Sequence, residues 1–355
     1  MTAIPSPPAR PTFYLTRDVG DWAIRDGVRE GKLLRVYRGV YVPVIPSEVR
    51  WQREERVALA RAIGINQMSR TQGVVSHQTA ALMHGCRIWR LDARTHTVQV
   101  TRTGMQPEPL RRRHLLRERL PDGEVVTIHG VRVTSLERTI VDCARTMDPG
   151  EALVIIDSAF RLLLRPDRAN RDEVEEDLRD LRRRLIRRAR EIGGRGLRRA
   201  IAIIELAQPW SESAYESMVR WIAVSRGLPE PELQHAVVTR QGTFYVDLAW
   251  FYTGDDGMRH ALFIEVDGHV KYGLPDGAAD ARVLREEKRR EDAIRELPGV
   301  RILRIDTTDV HSADGVFARI RSAFPAHMTT RLRPVRALLP SGMAVPGGGR
   351  AFRAH

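Results

Sequence analysis

Lysine is nearly absent from this sequence. Lys and Arg together number 58, and the lysines are Lys32, Lys271 and Lys288, so 55 are arginine. Cysteine occurs at Cys86 and Cys143, too few for a disulfide framework, which points to a reducing compartment. No apolar run approaches the roughly 20 residues of a membrane span. Prolines stand near the N-terminus where a secretory leader would carry its apolar core. A soluble, cytoplasmic protein is therefore expected. No internal repeat is visible. What the chain has in excess is positive charge, a formal +13 over 355 residues. That excess predicts a polyanionic partner, most simply nucleic acid and here DNA, with membrane surfaces and plain solubility as the bland readings; no membrane is expected because no run is long enough to span one. The length allows two or three domains with cores of their own.

The richest stretch runs from Phe244 to Ile305. An apolar run closes at Gly254, Asp255, Asp256 and Gly257, and a second follows, so the spacing predicts a β-hairpin. Alternation puts Tyr245, Asp247, Ala249 and Phe251 on one face, and Phe263, Glu265 and Asp267 on one face of the partner. Three carboxylates thus converge on one surface. Carboxylates inside runs as apolar as VDLAWF and ALFIEVDG are costly to bury alone, and a hard divalent cation is a natural partner. A one-residue slip in register would turn Asp247 away.

At these residues, over about positions 211–325, the sequence resembles the PD-(D/E)XK nuclease superfamily, most closely its very-short-patch-repair-like branch. The resemblance implies an α/β (α+β) domain with a mixed β-sheet flanked by helices, and metal-assisted phosphodiester hydrolysis. Asp247 and Glu265 take the Mg²⁺-binding places, with Mn²⁺ as a substitute and Asp267 adding a contact. The family's lysine two positions after the second acid is replaced here by Asp267. Lys271 is the nearest residue to assume its role. Two of the three lysines, Lys271 and Lys288, fall in this element, as expected where a compact ammonium is needed and an arginine fork does not serve. The family also has an acid on the preceding helix, matched by Glu216, which equally has capping-box spacing with Ser213. Lys288 lies with Glu287, Arg289 and Asp292 on a helix expected over 278–297, where the family has charged residues facing the site.

Near the N-terminus, two apolar-basic runs around Arg38 and Gly39 follow a short helix and predict a β-wing. The piece GKLLRVYRGVYV resembles the reduced winged-helix module of AbiEi-type antitoxins. Arg25, Arg29, Lys32, Arg35 and Arg38 are its expected DNA contacts, with a solvated α/β cap as the alternative. Further on, SHQTAALMHG and HGVRVTSLERTIVDCAR resemble the middle region of the same family. Ser76 is the expected N-cap of the first helix there, and Thr134 with Glu137 the capping box of the second. His77, His84, Cys86 and Cys143 match no metal-ligand spacing and read as core or cap residues. Arg111 to His114 reads as a basic turn.

Residues 168–207 have an acidic start, an arginine-rich end and a narrow apolar seam at Leu178, Leu181, Leu185 and Ile186. The pattern is that of a solvated spacer helix, or of an arm for a DNA backbone. The expected layout is a winged-helix-like module over 12–46, an α/β middle domain over 47–165 and a helical spacer over 166–208. A nuclease-like domain over 209–326 and a disordered tail over 327–355 complete it. The leading functional expectation is a metal-dependent DNA endonuclease. The alternative is a non-catalytic DNA-binding regulator of antitoxin type, with a degenerate nuclease-like domain and a cognate toxin as partner.

Overall fold

The structure, a computed structural model, describes residues 7–69, 73–99, 109–116, 119–267, 293–294 and 296–340. It is α+β, and it divides into two compact units. The first comprises residues 1–147 and 158–209, the second 148–157 and 210–355. Among the described residues no helix is long and apolar enough to cross a membrane.

The first unit begins with a three-stranded sheet. Its strands are β1 (Tyr14–Leu15), β2 (Leu33–Tyr37) and β3 (Val40–Pro43), in the order β1-β3-β2. Two short helices, α1 (Thr16–Val19) and α2 (Asp21–Arg29), precede the β2–β3 hairpin. The hairpin turns at Arg38 and Gly39 as expected, with Gly39 at φ +73°, where glycine alone is unstrained. Val36, Val40, Val42 and Leu15 bury one side of this sheet against Ala60 of α3 (Arg50–Met68).

A second sheet has the order β6-β5-β4-β8-β7. Its strands are β4 (Val74–Val75), β5 (Thr95–Gln99), β6 (Arg111–Leu115), β7 (Val125–Ile128) and β8 (Val131–Thr134). Arg111 to His114 is thus part of a strand paired in parallel with β5 and not a turn. The helices of this unit are α4 (His77–Met83), α5 (Leu136–Thr146), α7 (Arg171–Ile192) and α8 (Leu197–Leu206); α6 (Pro149–Leu164) runs from the second unit's residues into the first's.

The cap of α5 lies one residue beyond the expected position. Ser135 accepts the Arg138 backbone N–H, while the Thr134 hydroxyl is 2.7 Å from that of Thr139. Ser135→Ala is expected to cost about 1 kcal/mol in urea unfolding.

The stretch expected to be a solvated spacer is built into the first unit. Val174, Leu178, Leu181, Leu185 and Ala189 of α7 are buried, at the 3.6-residue spacing of a single stripe. Each such leucine contributes roughly 1.5–3 kcal/mol of apolar burial, more than a free-standing linker helix gains. The outward face keeps Arg179, Arg183, Arg184, Arg187 and Arg190. Inward, Arg138 bridges Glu124 (2.7 Å) and Asp142 (2.9 Å), and Arg188 also reaches Glu124.

In the second unit a four-stranded mixed sheet has the order β12-β11-β10-β9. Its strands are β9 (Glu232–Thr239), β10 (Gly242–Thr253), β11 (Arg259–Asp267) and β12 (Val300–Asp306). β10 and β11 are the expected hairpin, and β12 pairs with β11 in parallel. Helix α9 (Ala214–Ser225) packs near β10, and the helix Ala313–Ala323 near β12. Trp250 fixes one face, its ring edge-on to Phe324 and its N–H donated to the Pro229 carbonyl at 2.7 Å.

Residues 327–340 of the expected tail are not disordered but pack within the second unit. Trp221 of α9 donates to the Leu338 carbonyl at 2.8 Å, and Leu338 and Leu339 are buried. An apolar pair anchored by one buried indole N–H is sufficient reason for the segment to pack. Positions 341–355 lie outside the described residues, as does most of the helix expected over 278–297.

Candidate functional site

Asp247 stands where β10 leaves both of its ladders. The β9 ladder passes from Val246↔His235 to Leu248↔Leu233 without it, and the β11 ladder starts at Leu248↔Ile264. The pleat changes sides here. Phe244 and Val246 share an apolar cluster with Ala249, Phe251 and Phe263, so the expected single face through Tyr245, Asp247 and Ala249 is broken at Asp247. Its carboxylate fills the fork between the strands instead. Oδ2 accepts the Val266 backbone N–H at 2.9 Å, and Oδ1 accepts the Gln234 side-chain amide at 3.1 Å.

Gln234, across on β9, has φ +48°, a left-handed conformation that costs a non-glycine residue energy. The surrounding strands hold it there. Its amide nitrogen thereby lies 3.5 Å from Glu216 Oε2 as well as 3.1 Å from Asp247.

Glu216 is placed by the start of α9. Ser213 Oγ accepts the Glu216 N–H at 3.1 Å, and Glu216 Oε2 accepts the Glu212 N–H at 2.8 Å. The capping contact and the approach to Gln234 therefore coexist in one side chain. Burial, followed by the Asp247 charge, raises Glu216 from its ordinary value to about 7. Near neutral pH this acid is poised between its two forms.

The other two expected metal ligands lie differently. Glu265 and Asp267 alternate onto one side of β11, where Arg304 of β12 meets both, at 3.9 Å from Glu265 and 3.5 Å from Asp267. Asp247, Glu265 and Asp267 do not bring an oxygen each to within 4.8 Å of one another; among the described residues no three carboxylates do. The expected trio is corrected on this point. Backbone and amide donors draw Asp247 into the strand fork, while a guanidinium draws Glu265 and Asp267 toward β12. Lys271 and Lys288, like Glu287, Arg289 and Asp292, lie outside the described residues.

Gln234 and Arg304 were not foreseen. Gln234 is a lone amide in the apolar strand ELQHAVVT, and nothing in its spacing distinguishes it from a solvated residue. Arg304 could have been found by aligning VRILRI in parallel with FIEVD, which puts it opposite Glu265.

In the first unit the five expected DNA contacts are all exposed. Arg25 lies 4.0 Å from Asp21, Lys32 lies 2.7 Å from Glu30, and Arg29 pairs with Asp26. Arg35 and Arg38 sit on the β2–β3 hairpin. Ion pairs this exposed are worth little, so the cations exchange them readily for another anion.

No family model matches the chain. It is similar to two uncharacterized proteins of Mycobacterium tuberculosis, MT2308 of strain CDC 1551 and Rv2248 of strain H37Rv. Each is 26% identical over 224 residues, which span 63% of this chain and 72% of the relative.

Proposed function

We propose that the second unit is a metal-dependent DNA endonuclease domain of the PD-(D/E)XK type, and that the N-terminal module is a winged-helix-like DNA reader. One observation carries the reading. Glu216 and Asp247, from a helix and a strand that are neighbours only in the fold, meet at one amide, and burial first and the Asp247 charge second raise Glu216 to about 7. Stored repulsion between carboxylates is what a divalent cation relieves. Glu216 and Asp247 offer oxygen donors only, which fits Mg²⁺ or Mn²⁺; a third oxygen from Glu265 requires that side chain to leave Arg304, because the three do not bring an oxygen each to within 4.8 Å of one another. When bound, the ion supplies positive charge for a phosphodiester oxygen and lowers the pKa of a bound water. Gln234 sets the distance between the buried Glu216 carboxylate and the half-buried Asp247 carboxylate. Arg304 holds Glu265 and Asp267 in place, and Lys271 takes the water-orienting role. Arg25, Arg29, Lys32, Arg35 and Arg38 hold the DNA backbone.

A second reading rests on Arg304. Because its guanidinium already neutralises Glu265 and Asp267, the chain can also be a non-catalytic DNA-binding regulator of antitoxin type, acting in the cytoplasm with a cognate toxin. One experiment separates the two. Supercoiled, linear, mismatched and single-stranded DNA are incubated with the full chain and Mg²⁺ or Mn²⁺, beside a gel-shift series in salt. The nuclease reading expects cutting that EDTA stops. Binding that weakens steeply with salt, without any cutting, selects the regulator. Neither cutting nor binding overturns both.

A further inference from the structure

We infer that His77, His96 and His114 of the first unit form a binding site for one borderline divalent transition-metal ion, of which Zn²⁺ is the type, with Asp92 as the outer carboxylate that orients His96. One ring nitrogen from each of the three lies within 4.8 Å of the others. The three come from separate elements. His96 is on β5, His114 on the neighbouring β6, and His77 opens α4. In the parallel register His114 pairs with Val98, two residues from His96, so both rings leave the same face of the sheet.

The nitrogen geometry is the first argument. His114 Nε2 lies 3.4 Å from His96 Nδ1. Two ligands each about 2.0–2.1 Å from a tetrahedral zinc are about 3.3–3.4 Å apart. The two atoms already stand at the spacing of a shared ion.

The second argument is the surrounding hydrogen bonds. His96 Nε2 is 3.0 Å from Asp92 Oδ2. With the proton held there, Nδ1 keeps its lone pair, the carboxylate–histidine arrangement that supports metal ligands. His77 Nδ1 is 2.9 Å from Ser76 Oγ, which leaves Nε2 as its ligating atom. His77 also has φ +52°, a strained conformation for a residue with a side chain, and its ring lies 3.6 Å from that of His114, nearly parallel to it. Stacked rings cannot aim at one point, so His77 must turn about its Cβ–Cγ bond to complete the set. His96 and His114 form the ready pair, and His77 closes it.

Charge sets the affinity. Arg112 and Arg138 act on the cluster and oppose a cation. Asp92 opposes them, held by Arg94 at 2.7 Å and with Arg112 at 3.9 Å. Three neutral imidazoles with a fourth position left for water select Zn²⁺, Co²⁺ or Cu²⁺ over Mg²⁺, unlike the oxygen donors of the second unit.

The test uses tag-free full-length chain, stripped with chelator and dialysed. Zinc is measured by elemental analysis, Co²⁺ by its visible absorption, and melting temperature with and without Zn²⁺. About one equivalent of Zn²⁺ is expected per chain with a Kd of about 1 µM or tighter, together with a rise in melting temperature. His96→Ala and His114→Gln should each lose that equivalent, and Asp92→Asn should weaken it about 10–100-fold. Should the histidine variants fail to fold, wild-type uptake and the Zn²⁺-dependent melting shift decide. Wild type that takes up no zinc and shows no shift overturns the site. So does uptake that survives in both histidine variants, or that is lost in Asp247→Asn alone.

Discussion

Asp247→Asn is expected to abolish Mg²⁺-dependent DNA cleavage and, in the metal-free protein, to bring the titration of Glu216 back toward that of an ordinary carboxylate. The substitution removes a charge and keeps an acceptor for the Val266 N–H, so the strand fork survives. Glu216 reports the change because Asp247 is the second cause, after burial, of its raised value.

The sign of the pH dependence follows. Unfolded, Glu216 titrates near 4.5; folded, near 7. Between those values the folded state binds more proton than the unfolded one. Its stabilisation is therefore complete below about pH 4.5 and is lost as pH rises through 7, by on the order of 3 kcal/mol. Urea unfolding at pH 5, 6, 7 and 8 should show stability falling across that window in wild type. Glu216→Gln should flatten the fall, and Asp247→Asn should reduce it. An unchanged slope in Glu216→Gln would mean that another group titrates there.

The second large effect concerns an ion pair that no site uses. Arg220 of α9 is fully buried, its guanidinium 2.5 Å from Asp157, which is itself 1% exposed. Asp157→Ala leaves a cation in the interior with its main counter-charge removed. Breaking a buried pair on one side costs about 3–5 kcal/mol, because desolvation of the remaining charge is no longer offset. The second unit should lose that much in denaturant unfolding. Replacing both partners at once, Asp157→Leu with Arg220→Met, should recover much of the loss. A cost below about 1 kcal/mol for Asp157→Ala would show that water reaches Arg220.

How much of this was legible in the sequence depended on the range of the interaction. The β10–β11 hairpin was, because Gly254 to Gly257 separate two apolar runs, and so was Ser213 as the cap of α9, because its partner is three residues away. The face of Asp247 was not. Strand alternation assumes an unbroken pleat, and the shift at Asp247 depends on Gln234, which periodicity does not mark. Glu216 was singled out by its match to a motif, but its closeness to Asp247 is a tertiary fact. The α7 seam was legible at Leu178, Leu181 and Leu185, while Ile186 is only half-buried and Val174 and Ala189 complete the stripe, and its burial depended on partners far along the chain. The histidine cluster was hidden for the same reason. His77, His96 and His114 are spread over strands and a helix start, and no local spacing carries that signal.

Residues 148–157 belong to the second unit although the rest of it begins only at position 210. On the ribosome, Asp157 emerges 63 residues before Arg220, roughly 3–13 s at about 5–20 residues per second. The last stretch of the first unit, residues 158–209, is made during that interval, while the anion that Arg220 requires waits on a helix begun before it. A fragment cut at Trp210 omits that anion, so this half of the molecule is assembled from two separated stretches of the chain and is not a detachable cassette.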